Sequence, residues 1–166
     1  MSATGVFEGT TPLVSDEYLV SALAGSAITM GQALAIQTTS TSFPPTVIPC
    51  ATANAPNFMG FALTSQPTTG GPITVVCRGV CRAISDGSAA ITAGDQITCS
   101  ATAGQVKTFA PTTDATIGGD ITAPSGGGAC TASGVAAIIN ATRTIIGKAL
   151  TPAVATAGTI FYILVK

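Results

Sequence analysis

Residues 60–77, GFALTSQPTTGGPITVVC, are echoed by residues 147–164, GKALTPAVATAGTIFYIL. Each stretch opens on Gly-x-Ala-Leu-Thr, places a glycine seven residues after the threonine, and ends in a run of β-branched and aromatic residues. Such runs, when glycine and proline bound them, are typical of β-strands. Because both stretches keep the same order and spacing, they predict a β unit that the chain carries twice.

A second echo lies upstream of each stretch, where residues 27–32, AITMGQ, recur as residues 90–95, AITAGD. The glycine in each supplies the positive φ of a tight turn into a strand. In the second half, residues 103–105, AGQ, stand between two alternating runs and predict a hairpin. We therefore predict an all-β domain over residues 26–166, a β-barrel or β-sandwich built from two diverged copies at about 26–86 and 87–166.

Two segments fall outside this repeat. Residues 1–25 form a predicted N-terminal arm, in which Ser15-Asp16-Glu17 suits the start of a helix. Tyr18 and Val20 suit a strand equally well, and we favour an extended or irregular arm. The second copy is longer than the first, and residues 114–134 hold two glycine runs. That composition predicts a long Gly-rich surface loop.

The composition favours a protein whose surface meets other proteins. Only 8% of the residues are charged, against about 25% in an ordinary soluble domain, while 46% are hydrophobic. The chain has 27 threonines and 12 serines in place of the missing charges. The alternative interpretation of this composition is a secreted or adhesive protein whose surface is covered by uncharged polar side chains. The net charge is −1 and the six cations are scattered, which argues against direct nucleic-acid binding.

Neither membrane nor metal binding is indicated. The chain lacks a run of about 20 apolar residues, and its start lacks the pattern of a signal peptide, so we expect synthesis and use without export. The five cysteines are expected to be reduced and buried. Cys77 and Cys81 are spaced four apart, which is not a zinc-ligand spacing, and on a strand they would share a core-facing side.

The sequence offers no catalytic set. It contains no histidine, and its seven carboxylates show no convincing pairing, with several at turn positions such as Asp86-Gly87. The Gly-rich stretches at 70–72 and 126–129 do not continue into the lysine and helix of a phosphate-binding loop. We therefore predict that the chain is not an enzyme and holds no cofactor and no metal.

The last strand is apolar on both sides. Ile160, Tyr162 and Leu164 face one way, and the residues between them face the other. The matching strand of the first copy carries Thr74, Val76 and Arg78 on one side and is predicted to be half-buried. One end of the molecule is thus a predicted interface. The candidate contacts for another subunit or partner come from the arm and this strand: Phe7, Val14, Tyr18, Leu19, Phe161, Tyr162 and Ile163.

With the repeat in view, the chain resembles the small capsid decoration, or cement, proteins of tailed bacteriophages. The resemblance covers most of the chain and is carried, in order, by VFEG (6–9), TMGQ (29–32), MGFAL (59–63), ITVVCRGVCR (73–82), ITAGD (91–95) and IGKAL (146–150). The chain departs from that pattern around residues 43–45 and 114–134, which leaves the docking surface open.

This resemblance implies a β protein on the exterior of a phage capsid, made in the host cytoplasm. It would bind the major capsid protein across junctions between hexamers, form a homotrimer, and strengthen the shell. The alternatives are a tail or fibre structural β protein and a carbohydrate-binding β domain. The latter is disfavoured by an aromatic content of 5% and the absence of tryptophan.

Overall fold

The computed structural model describes residues 17–41, 43–52, 55–110 and 145–166. Within these ranges the secondary structure consists of strands, and the all-β prediction is confirmed. The predicted loop at 114–134 lies outside the described residues. The strands are β1 (Tyr18–Ala24), β2 (Ala33–Ile36), β3 (Thr46–Pro49), β4 (Phe58–Ala62), β5 (Pro72–Ile84), β6 (Gln96–Cys99), β7 (Val106–Thr108), β8 (Gly147–Ala149) and β9 (Ile160–Val165).

The first five strands close into a barrel. Their order is β1-β3-β2-β4-β5, and β5 pairs back onto β1 in antiparallel fashion. The β1–β3 pair is parallel and the other pairs of the barrel are antiparallel. Closure leaves this sheet without a free edge. Seven residues near the end of the predicted arm form β1 (Tyr18–Ala24), so in the structure they belong to the barrel wall.

The C-terminal half of β5 leaves the barrel and continues into a second sheet with the order β5-β9-β8-β6-β7. Strands β7, β6, β8 and β9 pair in the same antiparallel order as strands β3, β2, β4 and β5 of the barrel. Even the parallel contact recurs, because Ser85, just after β5, bridges Val106 of β7 in parallel. The pairing pattern is therefore shared by the two halves, while descent from one duplicated unit stays a prediction.

The glycines that open the two repeated stretches are required by close packing of neighbouring strands. A Cβ atom at Gly60 would collide with the carbonyl oxygen of Val76 on β5. A Cβ atom at Gly147 would come within 2.5 Å of the carbonyl oxygen of Leu164 on β9. Because a backbone atom cannot rotate away, only glycine fits at either place. Both glycines thus let a short strand approach the long strand that follows it.

The two predicted turns are confirmed. Gly31 has φ 89° and Gly94 has φ 100°, in the left-handed region that favours glycine. The next residue closes each turn with its side chain: Gln32 accepts a hydrogen bond from the Thr29 N–H at 2.9 Å. Asp95 accepts one from the Thr92 N–H at 2.8 Å. The side chains of Gln32 and Asp95 therefore accept equivalent hydrogen bonds in the two halves.

Two hydrophobic cores lie inside this architecture. The smaller one fills the barrel and consists of Ala22, Ala24, Ile28, Leu34, Val47, Ala62, Ile73 and Val75. The larger one packs β2 and β4 of the barrel against the second sheet. Its largest side chains are Phe61, Phe161, Ile97, Ile163, Val76, Val106 and Val165. Since most of the apolar burial joins the two sheets, we expect them to unfold together.

Strand β5 passes from one core to the other between two adjacent residues. Val75 is buried in the barrel core and Val76 in the larger core. A change of register opposite Tyr18 follows immediately, so that Cys77 is an extra residue in β5. The predicted half-buried pattern is therefore wrong at Val76, because the second sheet covers the side that was expected to face solvent.

The bulge also separates the two close cysteines. Cys81 is buried in the larger core, whereas Cys77 is only half-buried and packs against the barrel core. The predicted shared core-facing side is wrong, because an extra residue in β5 breaks its two-residue alternation. The described cysteines are free thiols, and Cys50, Cys81 and Cys99 are buried as predicted, whereas Cys77 is only half-buried.

Candidate interaction surface

Strand β9 divides its six residues evenly between core and solvent. Phe161, Ile163 and Val165 are at most 2% exposed and lie in the larger core. The intervening side chains are exposed even though they are apolar: Ile160 at 49%, Tyr162 at 43% and Leu164 at 40%. A strand on a solvated sheet ordinarily alternates apolar with polar residues. The outward side of β9 therefore departs from that pattern.

The strands beside β9 widen this apolar side. On β5, Val80, Arg82 and Ile84 lie directly opposite Leu164, Tyr162 and Ile160. On β8, Lys148 lies opposite Leu164. Directly opposite residues of an antiparallel pair point to the same side of a sheet. Together these residues form the β9 face, defined as Val80, Arg82, Ile84, Lys148, Ile160, Tyr162 and Leu164.

The β9 face combines an apolar centre with positive charge. Five of its side chains are aliphatic or aromatic, two are cations, and none is a carboxylate. Lys148 is exposed and Arg82 is half-buried. A complementary partner surface would be apolar with carboxylates at its rim.

The loop after β8 fixes the backbone at the centre of the face. The Leu150 N–H donates to the carbonyl oxygen of Tyr162 at 2.8 Å. The Tyr162 N–H donates to the hydroxyl of Thr151 at 2.9 Å. Leu150 itself is 43% exposed. The backbone N–H and carbonyl oxygen of Tyr162 are thus hydrogen-bonded within the chain, while its side chain is exposed.

A separate open cavity of about 450 Å³ lies where β1 and the end of β9 flank β5. It is lined by Glu17, Tyr18, Cys77, Arg78 and Lys166. The Oε1 atom of Glu17 is buried and has no hydrogen-bond partner within the described part of the chain. The negative charge of Glu17 adds to burial in raising the pKa of the Cys81 thiol to about 12. Cys81 is therefore a neutral thiol at physiological pH.

The structure separates the predicted contact residues into two groups. Tyr18, Leu19 and Tyr162 are exposed, at 63%, 45% and 43%. Phe161 and Ile163 are buried at 1% and 0% and form part of the larger core. Their assignment as surface contacts is corrected, because alternation along β9 turns them inward. Phe7 and Val14 lie outside the described residues.

Ile160 and Leu164 were predicted to share a side of the strand with Tyr162, but they were left out of the candidate contacts. Successive side chains of a strand point to opposite sides, so three consecutive residues cannot all contact one partner surface. Applying this two-residue period would have selected Ile160 and Leu164 together with Tyr162. Val80 and Ile84 could not be found this way. They join the face only because β5 pairs with β9 in one particular register.

Within the described ranges, no group of three or more His, Cys, Asp or Glu side chains is placed to hold a metal ion. The described residues also contain no helix that is long and apolar enough to cross a membrane.

The described chain is thus an all-β protein built on a closed five-stranded barrel, with an exposed apolar and cationic face on its second sheet. Its structure is similar to that of the head fiber gp8.5 N base of bacteriophage phi29, with a TM-score of 0.52 and 16% sequence identity. The match covers 90% of this chain and 94% of that one. At this identity the likeness shows the fold. No protein-family model matches the chain, and no curated protein matches it in sequence.

Proposed function

We propose that the chain is a non-enzymatic structural protein of a bacteriophage head, which binds the outer surface of the shell between major capsid protein subunits and stabilises it. The observation that carries this proposal is the likeness of nearly the whole chain to the base of a phage head fibre. The motif resemblance to decoration proteins points the same way. Both resemblances concern proteins of the phage head.

The β9 face supports the proposal as a docking surface. Its apolar centre supplies binding free energy when water is removed from it, at roughly 25 cal/mol per Å². Arg82 and Lys148 orient the encounter with an acidic rim. A head carries many copies of each subunit, so weak individual contacts add through effective concentration. We expect the bound form to be a homotrimer.

A second candidate function follows from the same neighbour. Because that protein is the N base of a head fibre by its own description, this chain is alternatively the base on which a fibre stands. Labelled antibodies on intact particles distinguish the two: a cementing role predicts label spread over the head, and a fibre base predicts label at the foot of each fibre.

The docking proposal is tested by adding purified protein to heads that lack it. Wild-type protein is expected to bind and to raise the temperature at which the heads release DNA. Tyr162→Asp is expected to fold, because Tyr162 is 43% exposed and opposite Arg82. It should nevertheless bind at least tenfold more weakly, since a charge would enter the apolar centre of the contact.

Val154→Asp is the matched control. Val154 is 65% exposed and lies outside the β9 face, so the same change is expected to leave binding as it is. Binding of Tyr162→Asp at wild-type affinity would reject the β9 face as the contact. Wild-type protein that binds no head, or binds without changing the temperature of DNA release, would reject the cementing function itself.

A further inference from the structure

The β9 face has a counterpart on the barrel, because the two halves of the structure pair their strands in the same register. Three alternate pairs join β1 to β5 in the barrel: Leu23–Pro72, Ser21–Thr74 and Leu19–Val76. Three corresponding pairs join β5 to β9 on the β9 face: Ile84–Ile160, Arg82–Tyr162 and Val80–Leu164. Ser21 and Thr74 therefore occupy the places in the barrel that Arg82 and Tyr162 occupy on the β9 face.

The backbones at Thr74 and Tyr162 are also hydrogen-bonded in the same way. The loop after β8 makes two hydrogen bonds to the backbone of Tyr162, at 2.8 and 2.9 Å. The loop after β4 makes the same two to Thr74, since the Leu63 N–H donates to the Thr74 carbonyl oxygen at 2.9 Å. The Thr74 N–H donates to the hydroxyl of Thr64 at 3.4 Å. The fold therefore forms this arrangement with a threonine as well as with a tyrosine.

The side chains at these two places differ in the way that separates a solvated surface from a binding surface. Ser21 is exposed and Thr74 is half-buried, and their hydroxyl groups suit a sheet that faces water. Arg82 is half-buried and Tyr162 is 43% exposed. Arginine and tyrosine are enriched among the residues that contribute most to protein–protein binding. Because the same backbone carries two hydroxyls in the barrel, the fold does not require Arg82 and Tyr162 on the β9 face.

We propose that Arg82 and Tyr162 determine which surface the β9 face binds, and that the counterpart side of the barrel, at Ser21 and Thr74, faces away from the head. The surface that fits is an apolar patch of the major capsid protein that receives the Tyr162 ring and presents a carboxylate to the Arg82 guanidinium. This inference rests on the proposed function and names the chemistry by which its docking surface selects a partner.

The position and charge of the two residues define this partner. Arg82 and Tyr162 are directly opposite on antiparallel strands, which places their Cβ atoms about 5 Å apart, so one partner surface can meet both. The β9 face contains no carboxylate, and a guanidinium pairs with a carboxylate through two parallel hydrogen bonds. Ile160 and Leu164 flank Tyr162 on β9 and extend the apolar contact. The β9 face of a second copy does not fit, because it would bring cations against cations.

The inference is tested by exchanging side chains between the two halves of the full-length protein. The double variant Arg82→Ser/Tyr162→Thr gives the β9 face the side chains that the barrel carries at the corresponding places. It is expected to unfold within about 4 °C of the wild type, as surface changes do in a chain of this size. It should bind heads that lack the protein at least tenfold more weakly. Thermal unfolding and co-sedimentation with heads measure the two effects.

The reverse exchange is the matched control. Ser21→Arg/Thr74→Tyr places the larger side chains on the barrel, and head binding is expected to stay at the wild-type affinity because that side faces away from the head. Two single variants then test the carboxylate. Arg82→Lys keeps the positive charge and should retain more affinity than Arg82→Met, which keeps a long side chain without the charge.

Several outcomes would overturn the inference while leaving the proposed function, which depends on binding and stabilisation of heads by the wild type. One is wild-type affinity of Arg82→Ser/Tyr162→Thr. Another is a fall in its unfolding temperature as large as that of a core variant such as Phe161→Ala, which would assign the pair to folding. Altered head binding by Ser21→Arg/Thr74→Tyr would show that the barrel side takes part in the contact. Equal losses from Arg82→Lys and Arg82→Met would remove the partner carboxylate.

Discussion

Phe161 and Tyr162 are neighbours in β9, yet Phe161 is 1% exposed in the larger core and Tyr162 is 43% exposed on the β9 face. The contrast arises because successive side chains of a strand point to opposite sides. One of the two residues therefore holds the protein together, and the other is free to meet a partner.

Truncating these two side chains should separate stability from binding. Phe161→Ala is expected to lower the free energy of unfolding by about 3–5 kcal/mol, the usual cost of a cavity left by a buried ring. Tyr162→Ala should cost less than about 1 kcal/mol, as surface changes do. Denaturant unfolding of the isolated protein measures both. Equal losses would show that Tyr162 is part of the core.

Replacing Gly60 by alanine should be more damaging than replacing Gly158. The new Cβ at Gly60 would collide with the Val76 carbonyl oxygen, so β4 and β5 must move apart, at a cost of about 2 kcal/mol or more. At Gly158 no atom lies within 4 Å and the penalty is only the strain of φ 83°, about 1 kcal/mol. Thermal unfolding compares the two variants. A smaller loss for Gly60→Ala would contradict the close approach of the strands.

Asp86 should make stability depend on acid pH. Burial raises its pKa, but hydrogen bonds from Ser100 and Ser88 and the charge of Lys107 outweigh burial, so the pKa lies below its ordinary value. A lowered folded-state pKa stabilises the protein above the unfolded-state pKa, and this contribution is lost as pH falls through the folded-state pKa. The loss is therefore expected below about pH 4.

Asp86→Asn tests that expectation. The variant should be about 1 kcal/mol less stable at neutral pH, a value reduced for solvent screening, because the amide weakens the 2.6 Å hydrogen bond from the Ser100 hydroxyl. The difference from wild type should shrink as the pH is lowered. A stability difference that stays constant down to strongly acidic pH would assign the effect to packing and not to charge.

Charge reversal at the rim of the β9 face should slow association with heads. Arg82→Glu and Lys148→Glu are each expected to lower the association rate, and added salt should shrink the difference from wild type. Arg78→Glu is the control, because Arg78 lines the cavity and lies outside the β9 face. Surface plasmon resonance on immobilised heads measures the rates. An equal effect of all three variants would indicate general attraction to a negative surface.

Much of the fold could be predicted from local sequence. Gly31 and Gly94 mark turns because few other residues adopt a positive φ, and both turns are where the motifs place them. Gly60 and Gly147 mark strands that must approach a neighbour closely. The strand at the C-terminus was recognisable from its β-branched and aromatic residues. These features depend only on a residue and its near neighbours in the chain, so they can be predicted from short stretches of sequence.

Other features were decided only by the tertiary structure. Val76 is buried because a second sheet covers its side of β5, and nothing near Val76 in sequence indicates that sheet. Gly104 contacts Cys50 because the β6–β7 turn is hydrogen-bonded to the barrel.

For β9, the sequence by itself determined that the strand has two apolar sides. Alternation says that adjacent residues face opposite ways, but not which side meets the core when both are apolar. The pairing register of β9 with β5 and β8 determines which side of β9 meets the core. It turned Phe161 inward and left Tyr162 exposed, because burial depends on what packs against a strand from elsewhere in the chain.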